Sequence, residues 1–594
     1  MTTDSLTHAC GISRSISGKR WVWRGGNMDL GESGMAGDAL VNQLLLARGV
    51  AAGDLTRHRS PTLRDFLPDP SCFRDMDAAA DRIAQAVLCG EAVTVYGDYD
   101  VDGATSAALM VRLFAMLGHR AAYYIPDRLL EGYGPSGEAL VRLAEGGSSL
   151  VITVDCGAMA HDALAQAHEA GLDVVVVDHH KCAPDLPLAV AVVNPNRLDD
   201  CDEAAAHGHL AAVGVAFVLA VAVVRTLRKR GFFESRAEPA LLSLLDLVAL
   251  GTVADVAALH GLNRAFVAQG LKIMAQRRNI GLAALIEASR LSRAPVCSDL
   301  GFALGPRINA GGRVGEATLG VRLLTTACPD EARTLADQLS RLNEERRAIE
   351  RVVQEEAEAQ LAGQRDRQVH LLAGRGWHAG VIGIVAGRLK EKTGKPVLVV
   401  ALEAEGGTGK GSGRSITGVD LGAAVIAARE AGLLIAGGGH AMAAGLTVAA
   451  DGLDSLAEFL EQRLGPRIAA AQESQTVSLD LSVTPRGLQP SLAEQLEGAG
   501  PFGVGWPSPR VAVGPVTLVR ADVVGNDHLR LIARGADGGS FKAIGFRMAE
   551  AELGQTLLHG SAGRALWLAG RVKLDDWSSR PAAELHLEDA AFVG

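Results

Sequence analysis

Between residues 92 and 194 five short apolar runs recur: AVTVYG (92–97), AAYYI (121–125), SLVITV (149–154), DVVVV (173–177) and AVAVV (189–193). Segments of helical period separate them. Continuous apolar runs, rather than alternating ones, are expected of strands buried on both faces of a parallel sheet. Ligands on such sheets gather at the carboxyl ends of the strands. That edge carries Asp98, Asp155 and Asp178, each directly after a run. One aspartate there would read as the N-cap of the next helix. Three on one edge, with further acids following the first, favour a metal site.

The first of these ends reads YGDYDVDGATS (96–106). Asp98, Asp100 and Asp102 alternate, so in extended chain their carboxylates share one face. Unpaired acids that close repel one another unless a cation lies among them. An EF-hand would need glutamate at loop position twelve, which counted from Asp98 is Leu109. Calcium binding of that kind is thereby disfavoured. Asp155 stands in TVDCG, and Asp178-His179-His180 closes the fourth run. Paired histidines alone read as surface or capping residues; beside an acid at the end of a buried strand they become ligand candidates. Oxygen and imidazole donors together favour Mn²⁺ or Mg²⁺ over a thiolate zinc site. GTVADV places Asp255 after the apolar segment 241–253, a weak signal by itself. GPRINAGGR (305–313) reads as a glycine-rich turn that could present Arg307, Asn309 and Arg313 to phosphate. GSGRS (411–415) and GGGH (437–440) read as further glycine-rich turns, each unspecific alone.

A chain of 594 residues is too long for one hydrophobic core. With 48% hydrophobic and 21% charged residues it cannot be disordered throughout. Its 58 Lys and Arg against 68 Asp and Glu leave a net charge of −10. That excludes coating nucleic acid by basic charge alone. The longest apolar run, 210–224, is shorter than the ~20 residues of a spanning helix. The N-terminus lacks a signal-peptide core, so the expectation is a cytoplasmic protein with no membrane attachment. Eight scattered cysteines without a CxxC pair fit reduced thiols. The stripe over 330–363 predicts a helix about 50 Å long, placed as a strut between two modules. VHLLAG, PVLVVAL and the glycine-dense segments after them predict a second α/β module. From Val477 short strands predict an OB-type barrel. That last region has 11 basic and 13 acidic residues, hence no basic footprint. Phe541, Phe546, Trp567 and Trp577 could stack bases there, although core packing is the commoner use.

The ordered set GDYDVDG, IPDRLLEGYG, TVDCG, DHH, GTVADV, GPRINAGGR, GVIGIVAGR, GSGRS and GGGH resembles the DHH phosphoesterase superfamily. Within it the chain is similar to the bacterial single-strand-specific 5′→3′ exodeoxyribonucleases, from about residue 46 to the C-terminus. The resemblance implies an α/β multidomain fold: a DHH parallel-sheet catalytic domain (46–329), a connecting helix (330–363), a DHH-associated substrate-binding domain (364–471) and a C-terminal OB-type β-barrel (477–594). Residues 1–45 are expected to form a flexible tail, because the first ~35 lack hydrophobic periodicity. The resemblance also implies two Mn²⁺ or Mg²⁺ ions, with Asp100 on one, Asp102 on the other and Asp155 bridging. His179 and Asp255 would complete the second site, and Asp98 would lie at or beside the first. His180 would act with Asp155 in catalysis, contacting the scissile phosphate or orienting the ligand shell. Substrate would meet Arg128, Tyr133, Arg307, Asn309, Arg313, Ser412, Arg414 and His440. Tyr133 would stack on a base, and Arg128, Arg307, Ser412 and Arg414 would surround a terminal 5′ phosphate. The implied function is hydrolysis of single-stranded DNA to mononucleotides in repair and recombination, by a monomer working with a helicase and a single-strand-binding protein. The alternative is a superfamily phosphodiesterase acting on cyclic dinucleotides or short RNA, which would lack the strut and the barrel. Two stretches depart from the family: RLDDCDEAAAHGH (197–209) is acidic where a more aromatic, proline-containing loop is usual, and Trp506 stands where many relatives have an amide.

Overall fold

All five apolar runs become strands of one parallel sheet. The structure, a computed structural model, describes residues 8–25, 37–128, 130–364, 366–405, 407–525, 527–575 and 582–593. They form two units, Thr62–Glu473 and Met1–Pro61 with Ser474–Gly594. The first strand of the chain, β1 (Arg20–Trp23), belongs to the second unit. The parallel sheet of the first unit comprises β2 (Val93–Gly97), β3 (Ala121–Tyr124), β4 (Leu150–Val154), β5 (Asp173–Val177) and β6 (Ala191–Val193). Their order is β3-β2-β4-β5-β6. The chain runs from β2 to β3 on one side and then to β4 on the other. The order therefore reverses between β2 and β4, the switch point where α/β sheets collect ligands. Asp98 and Asp155 directly follow those two strands. Helices Val101–Met116, Ala212–Lys229 and Leu245–Ala254 pack together beside the sheet, and the last is buried on nearly every face.

The helix Pro329–Leu361 extends about 50 Å at 1.5 Å per residue. Leu335 and Leu339 bury towards helices Ile280–Ala288 and Gly305–Val314, and Val353 and Ala357 belong to the core around Ile382–Thr393. Between them Glu350, fully buried, meets Arg346 at 2.7 Å and Arg388 at 2.6 Å. A buried carboxylate held by two guanidiniums fixes register, since losing either partner leaves an uncompensated charge.

Beyond this helix lie β7 (His370–Arg375), β8 (Val397–Leu402), β9 (Thr408–Arg414), β10 (Ala436–His440) and β11 (Ala443–Ala449), in the order β10-β11-β9-β8-β7. Two expected turns are thus corrected. GSGRS lies mostly on β9 and GGGH on β10, and β11 pairs with both. Pairing across the sheet overrides the low strand propensity of glycine. GPRINAGGR is likewise helical, over Gly305–Val314. A side chain at Gly312 would come 2.7 Å from the Tyr99 carbonyl oxygen, so glycine there lets this helix lie against the acidic loop.

The second unit contains β12 (Thr476–Leu479), β13 (Leu481–Val483), β14 (Val511–Val524), β15 (His528–Gly535), β16 (Ser540–Gly545), β17 (Leu566–Leu574) and β18 (Ala583–Phe592). Pairings β14–β15, β15–β16, β16–β18, β18–β17 and β17–β14 close a five-stranded barrel. The expectation of a flexible tail over 1–45 needs correction. Residues 1–7 and 26–36 lie outside the described residues, as does Trp577. Over 20–23, however, β1 pairs in parallel with β12. Trp21 is fully buried and donates its indole N–H to Asp589 at 2.9 Å. Leu40, Val41, Leu44 and Leu45 of helix Asp38–Ala47 join the barrel core. Residues 46–61 go with this unit too, rather than with the parallel sheet. The tail looked polar because its few apolar residues contact sequence more than 400 residues away. Phe541 and Trp567 are buried or half-buried in this unit, whereas Phe546 is half exposed. Among the described residues no helix is long and apolar enough to cross a membrane.

Candidate metal centre

The acids after β2 and β4 converge because the chain turns sharply at each strand end. Asp100 N-caps helix Val101–Met116 by accepting from the Gly103 N–H at 3.0 Å. A side chain at Gly103 would come 2.4 Å from the Asp98 carbonyl oxygen, so only glycine permits this fold-back. Asp155 adopts φ 63°, the left-handed region that aspartate tolerates better than most residues. Asp102 points to helix Ala212–Lys229, where Ala212 N–H and Val213 N–H donate to its carboxylate at 2.7 and 3.0 Å. Asp255 caps the C-terminal end of helix Leu245–Ala254.

Three ligand groups overlap: Asp98, Asp100 and Asp155; Asp102, His179 and Asp255; and Asp155, His179 and His180. Within each, donor atoms lie within 4.8 Å of one another. His179 Nε2 stands 3.4 Å from Asp155 Oδ1 and 4.0 Å from both Asp102 Oδ2 and Asp255 Oδ2. All six expected ligands are therefore brought together, with Asp155 and His179 shared. A further observation fits cations here. Asp98 Oδ1, Asp155 Oδ1 and His179 Nε2 are buried without a hydrogen-bond partner, a costly state for polar atoms. Hard oxygen donors with one or two imidazoles suit Mn²⁺ or Mg²⁺.

Asp178 is a different kind of residue. Its carboxylate accepts from Ala158 N–H at 3.0 Å, His179 N–H at 2.8 Å and His180 N–H at 3.2 Å, and lies 2.7 Å from His180 Nδ1. Burial pushes its carboxyl up, but these bonds outweigh it and leave the group below the usual range. The acid thus organises the turn that carries both histidines.

Burial, then repulsion by Asp100, pushes Asp98 up to about 8. Burial also lifts Asp102 to about 7, with Asp255 the next cause, and Asp255 to about 7, with Asp100 next. Unfolded aspartates titrate near 4, so the metal-free fold holds extra protons. The stability they contribute is complete below about pH 4 and is lost as pH rises through 7 to 8. Burial lowers His209 and His370 to about 4, an opposing effect that is complete by about pH 7. Thermal melts in chelator should therefore show a midpoint falling between about pH 7 and 8.5. A rising midpoint would contradict this electrostatic picture.

The substrate candidates divide. Arg313, half-buried, donates to the Gly380 carbonyl at 2.8 Å; burial first and Arg128 next bring it down to about 10. Burial, then Arg128, likewise lowers Arg414, whose Nη1 donates to Ser412 Oγ at 3.0 Å. Arg128 lies over the Tyr99 ring at 4.8 Å. Arg128, Arg313 and Arg414 thus make a cationic cluster with Ser412, close enough for Arg128 to weaken the proton affinity of the other two. Arg307 turns elsewhere, donating to the Ala303 carbonyl at 2.7 Å and to Ser340 Oγ of the long helix at 3.2 Å. Tyr133 commits its hydroxyl to the centre, donating to the Asp155 carbonyl at 3.1 Å, 3.0 Å from His180 Nδ1. His440 is exposed on edge strand β10, and Asn309 is half-buried on helix Gly305–Val314. Sequence reasoning missed Asn194, Asn196 and Asn263, whose amides bond around the histidines and the Asp255 loop. The signal for the first two was a pair of asparagines flanking Pro195 after a buried strand, and Asn263 left none.

A parallel sheet with an acid–histidine cluster at its switch point, followed by a mixed sheet and a closed barrel, defines a DHH-type phosphoesterase with an OB-type module. Family models agree: "DHH family, N-terminal domain" matches residues 92–252, "DHHA1 domain" 366–465 and "RecJ OB domain" 479–589. The chain is 39% identical to the single-stranded-DNA-specific exonuclease RecJ of Dickeya dadantii, covering 93% of this chain and 95% of that one. Its identity to the same protein of Escherichia coli is 38%, covering 84% and 87%, and to that of Bacillus subtilis 33%, covering 93% and 68%. RecJ of Thermus thermophilus in complex with Mn²⁺ superposes with TM-score 0.73 at 29% identity, over 93% of this chain and 76% of that one. Its complex with Mg²⁺ gives 0.67 at 28% identity, over 94% and 75%. The chain belongs to the RecJ family.

Proposed function

We propose that the protein is a Mn²⁺- or Mg²⁺-dependent exonuclease that hydrolyses single-stranded DNA from its 5′ end and releases mononucleotides. The carrying observation is the pair of ligand groups Asp98–Asp100–Asp155 and Asp102–His179–Asp255, joined by the short approach of Asp155 to His179. Two divalent ions held there would polarise a phosphate, lower the pKa of a bound water and stabilise the leaving oxygen. Asp155 would be shared by both positions. His180, oriented by Asp178, would face the scissile phosphate. The relatives' names, and a family likeness that includes the barrel, disfavour cyclic dinucleotides or short RNA as the substrate.

Arg128, Arg313, Arg414 and Ser412 would hold the terminal 5′ phosphate, Arg313 entering the pocket where Arg307 had been expected. A fixed distance from that phosphate to the ligands would measure off one nucleotide per cut. Stacking and backbone contacts that read no base would suit any single-stranded sequence. A nuclease confined to single strands acts on a duplex only after something opens it, so a helicase and a single-strand-binding protein are fitting partners. The setting would be cytoplasmic DNA repair and recombination.

The central test compares end-labelled single-stranded DNA, blunt duplex, short RNA and cyclic dinucleotide, each with Mn²⁺ and with chelator. Mononucleotides released only from the 5′ end of single strands, only with metal, are expected; preference for cyclic dinucleotide would refute the reading. Arg414→Ala should weaken use of 5′-phosphorylated ends by about 1.5–3 kcal/mol, the worth of one charge-assisted contact. Use of 5′-hydroxyl ends should be nearly unchanged. Equal loss on both ends would place the pocket elsewhere.

A further inference from the structure

The ligands Asp102, His179 and Asp255 come from three separate elements: a helix start, the turn after β5 and a helix end. One segment, residues 194–213, reaches all three neighbourhoods. Asn194, fully buried, donates from Nδ2 to the His180 carbonyl at 2.8 Å and accepts from Asn196 N–H at 2.8 Å. Asn196 Nδ2 donates to the His179 carbonyl at 2.6 Å and to the Gly208 carbonyl at 3.0 Å. The same segment ends in the Ala212 and Val213 N–H groups that hold Asp102. From the other side Asn263, also fully buried, donates from Nδ2 to the His209 carbonyl at 2.6 Å and the Ala258 carbonyl at 3.1 Å. It thereby ties the segment to the loop that follows Asp255.

That loop needs a tie. Val256, next to Asp255, has φ 63°, a left-handed conformation that is an outlier for a β-branched residue. Such strain persists only where surrounding structure over-determines it. The outer end of the strap is anchored as well. Arg197 meets Asp75 at 2.6 Å and Asp199 at 2.9 Å, and Arg74 meets Asp199 at 2.9 Å. The acidic stretch that departs from the family pattern therefore has a structural use: Asp199 anchors the strap.

We propose that the strap 194–213, with Asn196 and Asn263 as positioning residues, sets the spacing of Asp102, His179 and Asp255 and so the cation affinity of that position. Among the described residues no hydrogen bond runs from the strap to Asp98, Asp100 or Asp155, so the position they form should change less. The inference rests on the two-cation nuclease reading. Both amides spend their N–H groups on main-chain carbonyls. They act by holding backbone, as outer-shell partners of metal ligands do elsewhere.

The test is Mn²⁺ binding to the full chain, followed by calorimetry and by electron paramagnetic resonance. Wild type should show two classes of site. In Asn196→Ala one class should weaken about 10- to 100-fold, and the other much less. The Mn²⁺ concentration for half-maximal cleavage should rise by the same factor, and saturating Mn²⁺ should restore kcat. Asn263→Ala should weaken the same class. If Asn196→Ala fails to fold, Gly208→Ala carries the test: its new Cβ would lie 2.6 Å from Asn196 Oδ1 and displace the amide. Two classes left untouched by these variants, or both weakened equally, would overturn the proposal. Wild type binding fewer than two Mn²⁺ ions would instead overturn the nuclease reading, and this inference with it.

Discussion

Asp155→Asn should lose Mn²⁺-dependent cleavage of single-stranded DNA by about 10³-fold or more while folding at least as stably as wild type. The two effects have opposite signs for one reason. Asp155 is fully buried among Asp98, Asp100, Asp102 and Asp178, and burial followed by their repulsion pushes its carboxyl well above the usual range. Removing that carboxylate relieves the metal-free fold. It also removes the ligand common to two of the three donor groups. If cation stabilisation of the reacting phosphate is worth several kcal/mol, losing about 4 kcal/mol of it gives the thousandfold. Asparagine suits the test better than alanine because it tolerates the left-handed backbone at φ 63°. Near-normal cleavage by a folded Asp155→Asn would remove the shared-ligand assignment. A large drop in the midpoint of chelated protein would remove the electrostatic one.

The parallel sheet could be read from residues 92–194 because strands buried on both faces leave continuous apolar runs. Two of the three acids at its edge, Asp98 and Asp155, were legible as ligands from their clustering, whereas Asp178 serves the turn and its position after a strand did not tell it from them. What could not be read depends on distant partners. Trp21 sits in a polar stretch, and only Asp589 and the barrel give it a place. Arg307 and Arg313 lie six residues apart on one helix, yet one faces Ser340 and the other Gly380. Nothing local decides which of them can meet a phosphate. The glycine-rich segments misled in a related way. Glycine marks turns by its own freedom, but Gly312 serves close packing, and β9 and β10 exist because β11 pairs with both. Asn196 escaped notice because a half-buried amide bonding to backbone leaves no periodic pattern.

His180→Gln and Asp178→Asn should each lower kcat by about 10²- to 10⁴-fold, the range for removing a positioned acid or base. His180 Nδ1 lies 2.7 Å from Asp178 Oδ1, so Asp178 accepts its N–H and fixes the ring. That leaves Nε2, 3.5 Å from the Tyr133 hydroxyl, as the nitrogen to serve the reaction. Burial lowers the imidazole, but the bond and charge of Asp178 outweigh this and set it above the ordinary value. A protonated His180 can donate to the leaving oxygen, so activity should fall as pH rises through its raised pKa. In Asp178→Asn the partner charge is gone, the imidazole releases its proton sooner, and that alkaline fall should move to lower pH. His180 also stands near Asp155 and His179 as a candidate ligand, and binding separates the roles. A group that contacts the phosphate should leave Mn²⁺ affinity in His180→Gln within about twofold, whereas loss of a ligand would weaken it about 10-fold or more. An alkaline limb unmoved in Asp178→Asn, together with weakened Mn²⁺ binding in His180→Gln, would transfer His180 from proton donor to ligand.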